Sequence, residues 1–324
     1  MNHPNEAWRS VRLYGVDHSP WVQGVLLALR YHKIPVSLTS YPLSIKWCWR
    51  YGLVFPALQL ADGSRHLDSF KMYELMEACG FHLGIDQSTT QDRLSFQAEL
   101  EQLFSIYALG RCISGKKWAF IKAWSVMSER PSTYQGAVCR ALLSSYFWVL
   151  IQIGIYVARR RREAAYDLDQ IESYLMIWNE RLRDHQWLTG DEIGFLDFAL
   201  WGHMQCMTSG LTDELLSLLR DQPHLMSWVK RLSQLDISDI SPYTQRLIDQ
   251  SVGATEADPC QTWFLRVIFW CVWIISLCLW PLTLVFILIS LLRRFRNPAR
   301  SGAINDRYSS LHKDAVSVQS ARGE

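Results

Sequence analysis

Two serines at predicted helix starts are the residues best suited to binding or catalysis. Ser19 is followed by Pro20 and an apolar stripe of helical spacing, and Ser69 follows Asp68 before a second helix. Serine and aspartate are favoured N-caps, and proline suits the first helical position. A helix N-terminus also presents unpaired N–H groups and about half a positive charge. The two segments therefore predict binding sites for anionic groups, with hydroxyls nearby to donate to them.

Short strands are expected to position these two helices. Four β-rich segments are predicted at Val11–Tyr14, 36–38, 55–60 and Arg65–Leu67. Asp62-Gly63 is a tight-hairpin signal between the last two strands, and Gly80 predicts the end of the second helix. This order of strands and helices predicts an α/β domain over residues 1–83.

The next part of the chain is dominated by helical periodicity. Helices are predicted at 91–113 and at 163–182, the second from apolar residues at helical spacing. A further apolar stretch at 141–158 ends at the four arginines 159–162. We expect it to be a buried helix or one that lies at the membrane surface, and not a transmembrane helix. A transmembrane helix would place the preceding and following parts of the chain, which must pack together, on opposite sides of the bilayer.

Several motifs together resemble the glutathione transferases, in particular their bacterial and theta-like members. Ser19-Pro20, the segment Phe55-Pro56-Ala57-Leu58 and Asp68-Ser69 are similar to the glutathione-binding motifs of that family. Residues 187–200 are similar to the entry into the central helix of its all-helical domain, with Gly194 in place of the usual Ser or Thr cap. The resemblance covers about residues 10–235. It implies a thioredoxin-like α/β domain over residues 1–83, followed by an all-α domain over residues 90–250.

The resemblance implies that glutathione is the co-substrate and that its thiol is activated as a thiolate. Ser19 is the implied hydroxyl donor to the sulfur, and Tyr14 is a rival because other branches of the family use a tyrosine at the end of the first strand. No cysteine lies within 17–20, which argues against the branches that form mixed disulfides.

The remaining implied site residues would bind the rest of the tripeptide. The backbone of Phe55, preceding a cis Pro56, would pair with its cysteine. Asp68 and Ser69 would hold the γ-glutamyl carboxylate, and Lys46 is a candidate partner for the glycine carboxylate.

Residues 267–292 form a run of 26 residues without a charge. As one helix this run would be about 39 Å long, against a hydrocarbon core of roughly 30 Å, so we predict a tilted or kinked transmembrane helix within 263–292. Pro281 is the expected position of a kink. The tail at 293–324 is basic and is predicted to be disordered.

The orientation of this segment stays open at the sequence level. Four arginines follow it between 293 and 300, whereas only Arg266 lies close before it, and basic flanks prefer the cytoplasmic side. Three arrangements remain: a tail anchor inserted against this bias, a shallow hairpin bent at Pro281, or an exported body. Because no secretory signal is visible at the N-terminus, we expect the folded domains to face the cytosol.

Composition excludes several other classes of protein. The chain of 324 residues is 49% hydrophobic, which is enough for a sizeable core. Its net charge of +2 is concentrated in the tail, so the body is slightly acidic and a nucleic-acid partner is not expected. The eight cysteines have no metal-ligand or disulfide-framework spacing, and no metal site is predicted.

Two functions of different class follow from these observations. The first is a membrane-anchored glutathione transferase acting on apolar electrophiles, with the lipid bilayer as a partner and a homodimer implied by the resemblance. The second is a non-catalytic adaptor of the same fold, similar to the metaxin and ganglioside-induced differentiation-associated families. A dehalogenase or isomerase of the same superfamily also remains open.

Overall fold

The computed structural model describes fifteen parts of the chain: residues 6–15, 19–39, 56–85, 90–104, 106, 137–138, 141–142, 145, 149, 152, 168–208, 213–235, 263–282, 284–285 and 289. Phe55 and Lys46 lie outside these residues, as do the tail and parts of the predicted 141–158 and 267–292 segments. The predicted roles of Phe55 and Lys46 therefore stay predictions.

A four-stranded mixed sheet forms the first part of the structure. Its strands are β1 (Val11–Tyr14), β2 (Val36–Thr39), β3 (Ala57–Gln59) and β4 (Arg65–Leu67), in the spatial order β2-β1-β3-β4. β1 is parallel to β2 and antiparallel to β3, and β3 is antiparallel to β4. All four predicted strands are confirmed within one or two residues at each end.

Two helices belong to the same part of the chain as these strands. α1 (Pro20–Tyr31) connects β1 to β2, and α2 (Ser69–Ala78) follows β4 directly. The predicted hairpin is present: the carboxylate of Asp62 accepts the N–H of Ser64 at 2.8 Å, and Gly63 has a φ of +82°. This is the left-handed conformation that glycine adopts without strain.

The remaining described helices are α3 (Thr90–Phe104), α4 (Leu168–Arg181), α5 (Phe195–Thr208), α6 (Asp213–Arg220), α7 (Pro223–Ser233) and α8 (Trp263–Cys278). They share one continuous apolar core with the sheet and α1, with the exception of α8. Three tryptophans of this helical part, Trp178, Trp201 and Trp228, are fully buried. The predicted fold class, a thioredoxin-like α/β part with an all-helical part, fits the structure.

α1 and α5 approach each other very closely through a pair of glycines. A Cβ added to Gly202 of α5 would lie 2.0 Å from the carbonyl oxygen of Pro20, and one added to Gly24 of α1 would lie 2.8 Å from the carbonyl oxygen of Phe198. Real Cβ atoms do not come this close to backbone atoms. The two glycines therefore allow the helices of the α/β and helical parts to pack backbone to backbone.

The charge-free C-terminal segment is interrupted at Leu279, two residues before the predicted kink position Pro281. α8 ends at Cys278, Leu279 lies in a turn, and helical residues resume at Trp280. Pro281 has no N–H to donate to the preceding turn, which accounts for the interruption. Within the residues that the structure describes, no helix combines the length and the apolar character needed to cross a membrane.

Candidate functional site

The register of the sheet brings three of the predicted site segments to one edge. Thr39, Tyr14, Ala57 and Leu67 lie in a single row across the four strands. Gly15, Pro56 and Asp68 are the next residues outward from this row. Because neighbouring strands are about 4.8 Å apart, Pro56 lies beside the end of β1. Asp68 lies beside Pro56, on the side away from β1.

The loop that leaves β1 is held against the first turn of α1. A Cβ on Gly15 would lie 2.3 Å from Cγ2 of Val22, so the backbone passes this helix without room for a side chain. The N–H of Gly15 also donates to the carbonyl of Thr39 on β2. The beginning of α1, with Ser19, is consequently close to the same sheet edge.

Ser19 occupies the N-cap position of α1 but does not use its hydroxyl as a cap. Its backbone is extended, with φ −79° and ψ 125°, and its carbonyl accepts the N–H of Gln23 at 3.0 Å. The side chain makes no capping hydrogen bond and is only 8% exposed. No acidic residue lies in the first turn, so the positive end of this helix is not neutralised from within.

Asp68 is held in a strained conformation at the start of α2. Its φ of +85° lies in a region that residues with a Cβ rarely adopt, which costs about 1–3 kcal/mol. The carboxylate accepts the N–H of Phe70 at 3.0 Å and so caps the helix. The next residue, Ser69, is nearly buried. Strain of this kind clusters at ligand sites, because the surrounding structure must fix it.

The rival hydroxyl of Tyr14 already has a partner. It donates to Oε1 of Gln59, on the adjacent strand β3, at 2.9 Å. To donate to a ligand sulfur, this hydroxyl must give up that bond, whereas the hydroxyl of Ser19 has no cap bond to lose. The local geometry thus favours Ser19 over Tyr14 as the donor.

The motif at the entry to α5 forms a buried hydrogen-bond network around Asp197. Its carboxylate accepts hydrogen bonds from the N–H groups of Leu188 and Gly194, at 2.9 and 3.1 Å, and from the indole of Trp228 at 2.7 Å. Thr189 donates both its hydroxyl, at 3.0 Å, and its N–H, at 3.4 Å. Burial raises the pKa of Asp197, and these hydrogen bonds act in the opposite direction.

Gly194 replaces the usual hydroxyl cap for a packing reason that the sequence did not reveal. A Cβ at this position would lie 2.4 Å from the carbonyl oxygen of Leu83 and 2.5 Å from Oγ1 of Thr189. Thr189 thus occupies the space of the missing cap side chain and donates to Asp197 in its place. This arrangement therefore requires glycine at position 194.

A buried histidine adjoins the start of α1 from the second part of the fold. His203 of α5 donates from Nδ1 to the carbonyl of Ala199, one turn earlier, at 2.9 Å. Its ring packs edge-on against Trp21 at 5.5 Å, and its Nε2 has no hydrogen-bond partner among the described residues. Burial lowers the pKa of His203 to about 4, so the ring is neutral at physiological pH.

A separate small cavity lies between α2, α3 and α5. Its volume is about 60 Å³, too small for a tripeptide, since ligand pockets are usually several hundred Å³. Its lining includes Phe70, Tyr73, Glu74, Leu94, Gln97 and Phe195. This cavity is not the predicted glutathione site.

Comparison with known families supports the class of protein that the fold suggests. Residues 137–236 match the family model described as the C-terminal domain of glutathione S-transferase. The match supports the glutathione transferase superfamily for this chain. No curated protein sequence matches the chain significantly.

Several solved structures are similar to the chain at low identity. A glutathione S-transferase from Rhodospirillum rubrum F11 is 16% identical with a TM-score of 0.40, and the match covers 76% of this chain and 96% of that one. One from Xanthobacter autotrophicus Py2 is 15% identical with a TM-score of 0.44, covering 73% and 99%. Glutathione transferase F2 from Populus trichocarpa is 17% identical with a TM-score of 0.41, covering 74% and 98%.

Proposed function

We propose that this chain is a membrane-associated protein of glutathione transferase type that activates glutathione for attack on apolar electrophiles. The observation that carries the proposal is that Pro56 and Asp68 lie beside the end of β1, while Gly15 at the same edge lies against the first turn of α1, which Ser19 precedes. Each of the two helices begins at a nearly buried serine, Ser19 or Ser69, and the start of α1, which has no acidic cap, is suited to an anionic group. The match to the glutathione S-transferase C-terminal domain supports the same class.

In this proposal the sulfur of glutathione binds at the start of α1. The positive end of the helix and the hydroxyl of Ser19 both stabilise the thiolate more than the thiol, which lowers the pKa of the bound thiol. The thiol proton leaves to water. A sulfur lone pair then forms a carbon–sulfur bond with the electrophile, whose leaving group departs with the electrons of the broken bond.

The start of α2 would hold the γ-glutamyl end of the tripeptide. Ser69 and the backbone N–H groups of this turn are suited to a carboxylate, while Asp68 fixes the turn and offers an anionic partner for the α-amino group. The predicted roles of Pro56, Phe55 and Lys46 in binding the remaining peptide are part of the same proposal.

Membrane association would concentrate the enzyme where apolar electrophiles partition. The charge-free C-terminal segment supports it, because 26 uncharged residues insert favourably into hydrocarbon. We place the folded part on the cytosolic side, and a homodimer is part of the proposal.

The first experiment measures glutathione binding and turnover with the full chain. Isothermal titration calorimetry gives the affinity, and conjugation of a generic electrophile gives the rate as a function of pH. Ser19→Ala should lower the rate and shift its pH profile upward, because the bound thiol loses a stabilising donor at about 1.4 kcal/mol per pKa unit. Folding should change little, because Ser19 makes no cap bond.

Two further variants serve as controls for this experiment. Ser19→Thr keeps a hydroxyl and should restore much of the rate. Ser37→Ala changes an exposed serine of β2 and should leave the pH profile unchanged. An unchanged profile in Ser19→Ala would contradict the assigned role. A chain that binds membranes but shows no affinity for glutathione would instead favour the non-catalytic adaptor.

A further inference from the structure

α8 has two distinct faces although almost all of its residues are apolar. At 3.6 residues per turn, the buried or half-buried positions fall on one side, which we name the inner face. The inner face comprises Leu265, Ile268, Phe269, Val272, Trp273 and Ser276. The exposed positions fall on the opposite side, the outer face. It comprises Trp263, Phe264, Val267, Trp270, Cys271, Ile274, Ile275 and Cys278, with the exposed Arg266 at its margin and the half-buried Leu277 as an exception to the pattern.

The inner face packs on the protein itself. Leu265 is 8% exposed and forms a small apolar cluster with Ala137, joined by Ile268 and Phe269. Ala137 begins a set of helical residues at 137–138, 141–142, 145, 149 and 152. The buried members of this set are Ala137, Ala141, Ser145 and Val149, which recur every four residues and so share one helix face.

The outer face differs from that of a surface helix in water. Such a helix directs polar and charged residues away from the protein, whereas α8 exposes one charged residue, Arg266, and otherwise exposes mainly apolar side chains over four turns. Val267, Ile274 and Ile275 are each about half exposed, at 47%, 55% and 56%. A row of exposed apolar side chains that extends over four turns of a helix marks an interaction site.

We propose that the outer face of α8 is a lipid-binding face, and that the inner face holds the helix against the helical residues that begin at Ala137. This proposal rests on the membrane association proposed above. The folded part of the protein would then lie at the bilayer surface. The alternative is attachment through a transmembrane helix that makes no other contact with the protein. The two apolar regions of the chain, at 137–152 and 263–278, would form one membrane-contacting element.

Lipid is favoured over a protein partner by charge and composition. The charge-free run continues from α8 to residue 292, and the four arginines at 293, 294, 296 and 300 follow it at once. Basic clusters beside an apolar segment bind anionic headgroups. Trp263 and Trp270 are exposed in the first two turns, and tryptophan prefers the interface between headgroups and hydrocarbon.

The length of the helix is consistent with this placement. Sixteen residues span about 24 Å, less than the roughly 30 Å of a hydrocarbon core. A helix packed along the body and buried by one face in the outer part of a leaflet does not need to reach the other side.

Photoreactive lipids test the proposal without any substitution. The full chain is reconstituted in vesicles of phosphatidylcholine and anionic phosphatidylglycerol that carry a diazirine in the acyl chain, and labelled residues are mapped by mass spectrometry. We expect labelling of outer-face residues to exceed that of inner-face residues several-fold. Uniform labelling around α8 would overturn the proposal in favour of a free-standing span.

Flotation of the same vesicles separates this inference from the proposed membrane association. If the chain does not float, membrane association itself is refuted. If it floats and the outer face is unlabelled, lipid does not occupy that face, and cross-linking between copies would then show whether a second chain does.

A pair of variants tests the contact that holds the inner face. Ala137→Trp places a bulky ring where Leu265 packs, and labelling should spread to Leu265, Ile268 and Phe269 while flotation persists. Val138→Trp, at the neighbouring half-buried position, should retain the one-sided pattern. If Ala137→Trp also retains one-sided labelling, the contact with Ala137 does not orient the helix. The wild-type labelling pattern still decides the proposal if this variant does not fold.

Discussion

Removal of the Asp197 carboxylate is expected to destabilise the helical part of the protein strongly. The side chain is completely buried and accepts five hydrogen bonds. Asp197→Ala leaves the N–H groups of Leu188 and Gly194 and the indole of Trp228 buried without an acceptor. A buried unsatisfied donor costs about 1–3 kcal/mol, so the loss should be at least about 3 kcal/mol.

Two variants distinguish the network from a general effect of losing an aspartate. Asp197→Asn keeps one acceptor oxygen but presents an amide N–H₂ group toward another donor, so an intermediate loss is expected. Asp191→Ala removes an exposed aspartate from the same loop and should change the free energy of unfolding by less than about 0.5 kcal/mol.

The assay is urea unfolding followed by tryptophan fluorescence, since Trp228 itself donates to Asp197. Midpoints and slopes for wild type and the three variants give the change in the free energy of unfolding. A loss below about 1 kcal/mol in Asp197→Ala would refute the argument, because it would mean that water replaces the carboxylate without penalty.

Two further predictions concern single residues near the site. Because burial lowers the pKa of His203 to about 4 from an unfolded value of 6.5, its neutral form stabilises the fold above pH 6.5 and this contribution is lost as the pH falls toward 4. Between pH 6.5 and pH 4 the free energy of unfolding should fall by about 3 kcal/mol because of His203 alone. In His203→Asn, urea unfolding should show a pH dependence that is smaller by this amount. An unchanged pH dependence would contradict the burial argument. At the start of α2, Asp68→Gly should be about 1 kcal/mol more stable than Asp68→Ala, since glycine adopts the φ of +85° without strain and both variants lose the cap. Both should weaken glutathione binding in calorimetry; equal stability of the two variants would show that Asp68 is not strained.

The first domain could be predicted well because its signals are local. Val11–Tyr14 and Arg65–Leu67 have the predicted bounds, and the Asp62-Gly63 turn and the Ser19-Pro20 helix start need only their own neighbours in sequence. These features place Tyr14, Pro56 and Asp68 at one edge of the sheet. The preference for Ser19 over Tyr14 in the proposed function, by contrast, depends on the hydrogen bond from Tyr14 to Gln59, which the sequence does not indicate.

The features that were missed depend on contacts between distant segments. Glycine inside a helix normally lowers its stability, so Gly24 and Gly202 appear unfavourable until the close approach of α1 and α5 is known. Thr189 substitutes for a cap only because Leu83 and Gly194 approach it in space. The two faces of α8 carry similar residues, so hydrophobic periodicity could not distinguish them.

These contacts also connect the candidate site to the helical part of the fold. The first turn of α1 has no side-chain cap of its own, and its position is set instead by the carbonyl of Pro20 against Gly202 and by Trp21 against His203. Closely packed interiors transmit displacements rather than absorb them, so a shift of α5 must move the end of α1 that carries Ser19. The electrostatic environment offered to a thiolate is therefore determined by both parts of the fold.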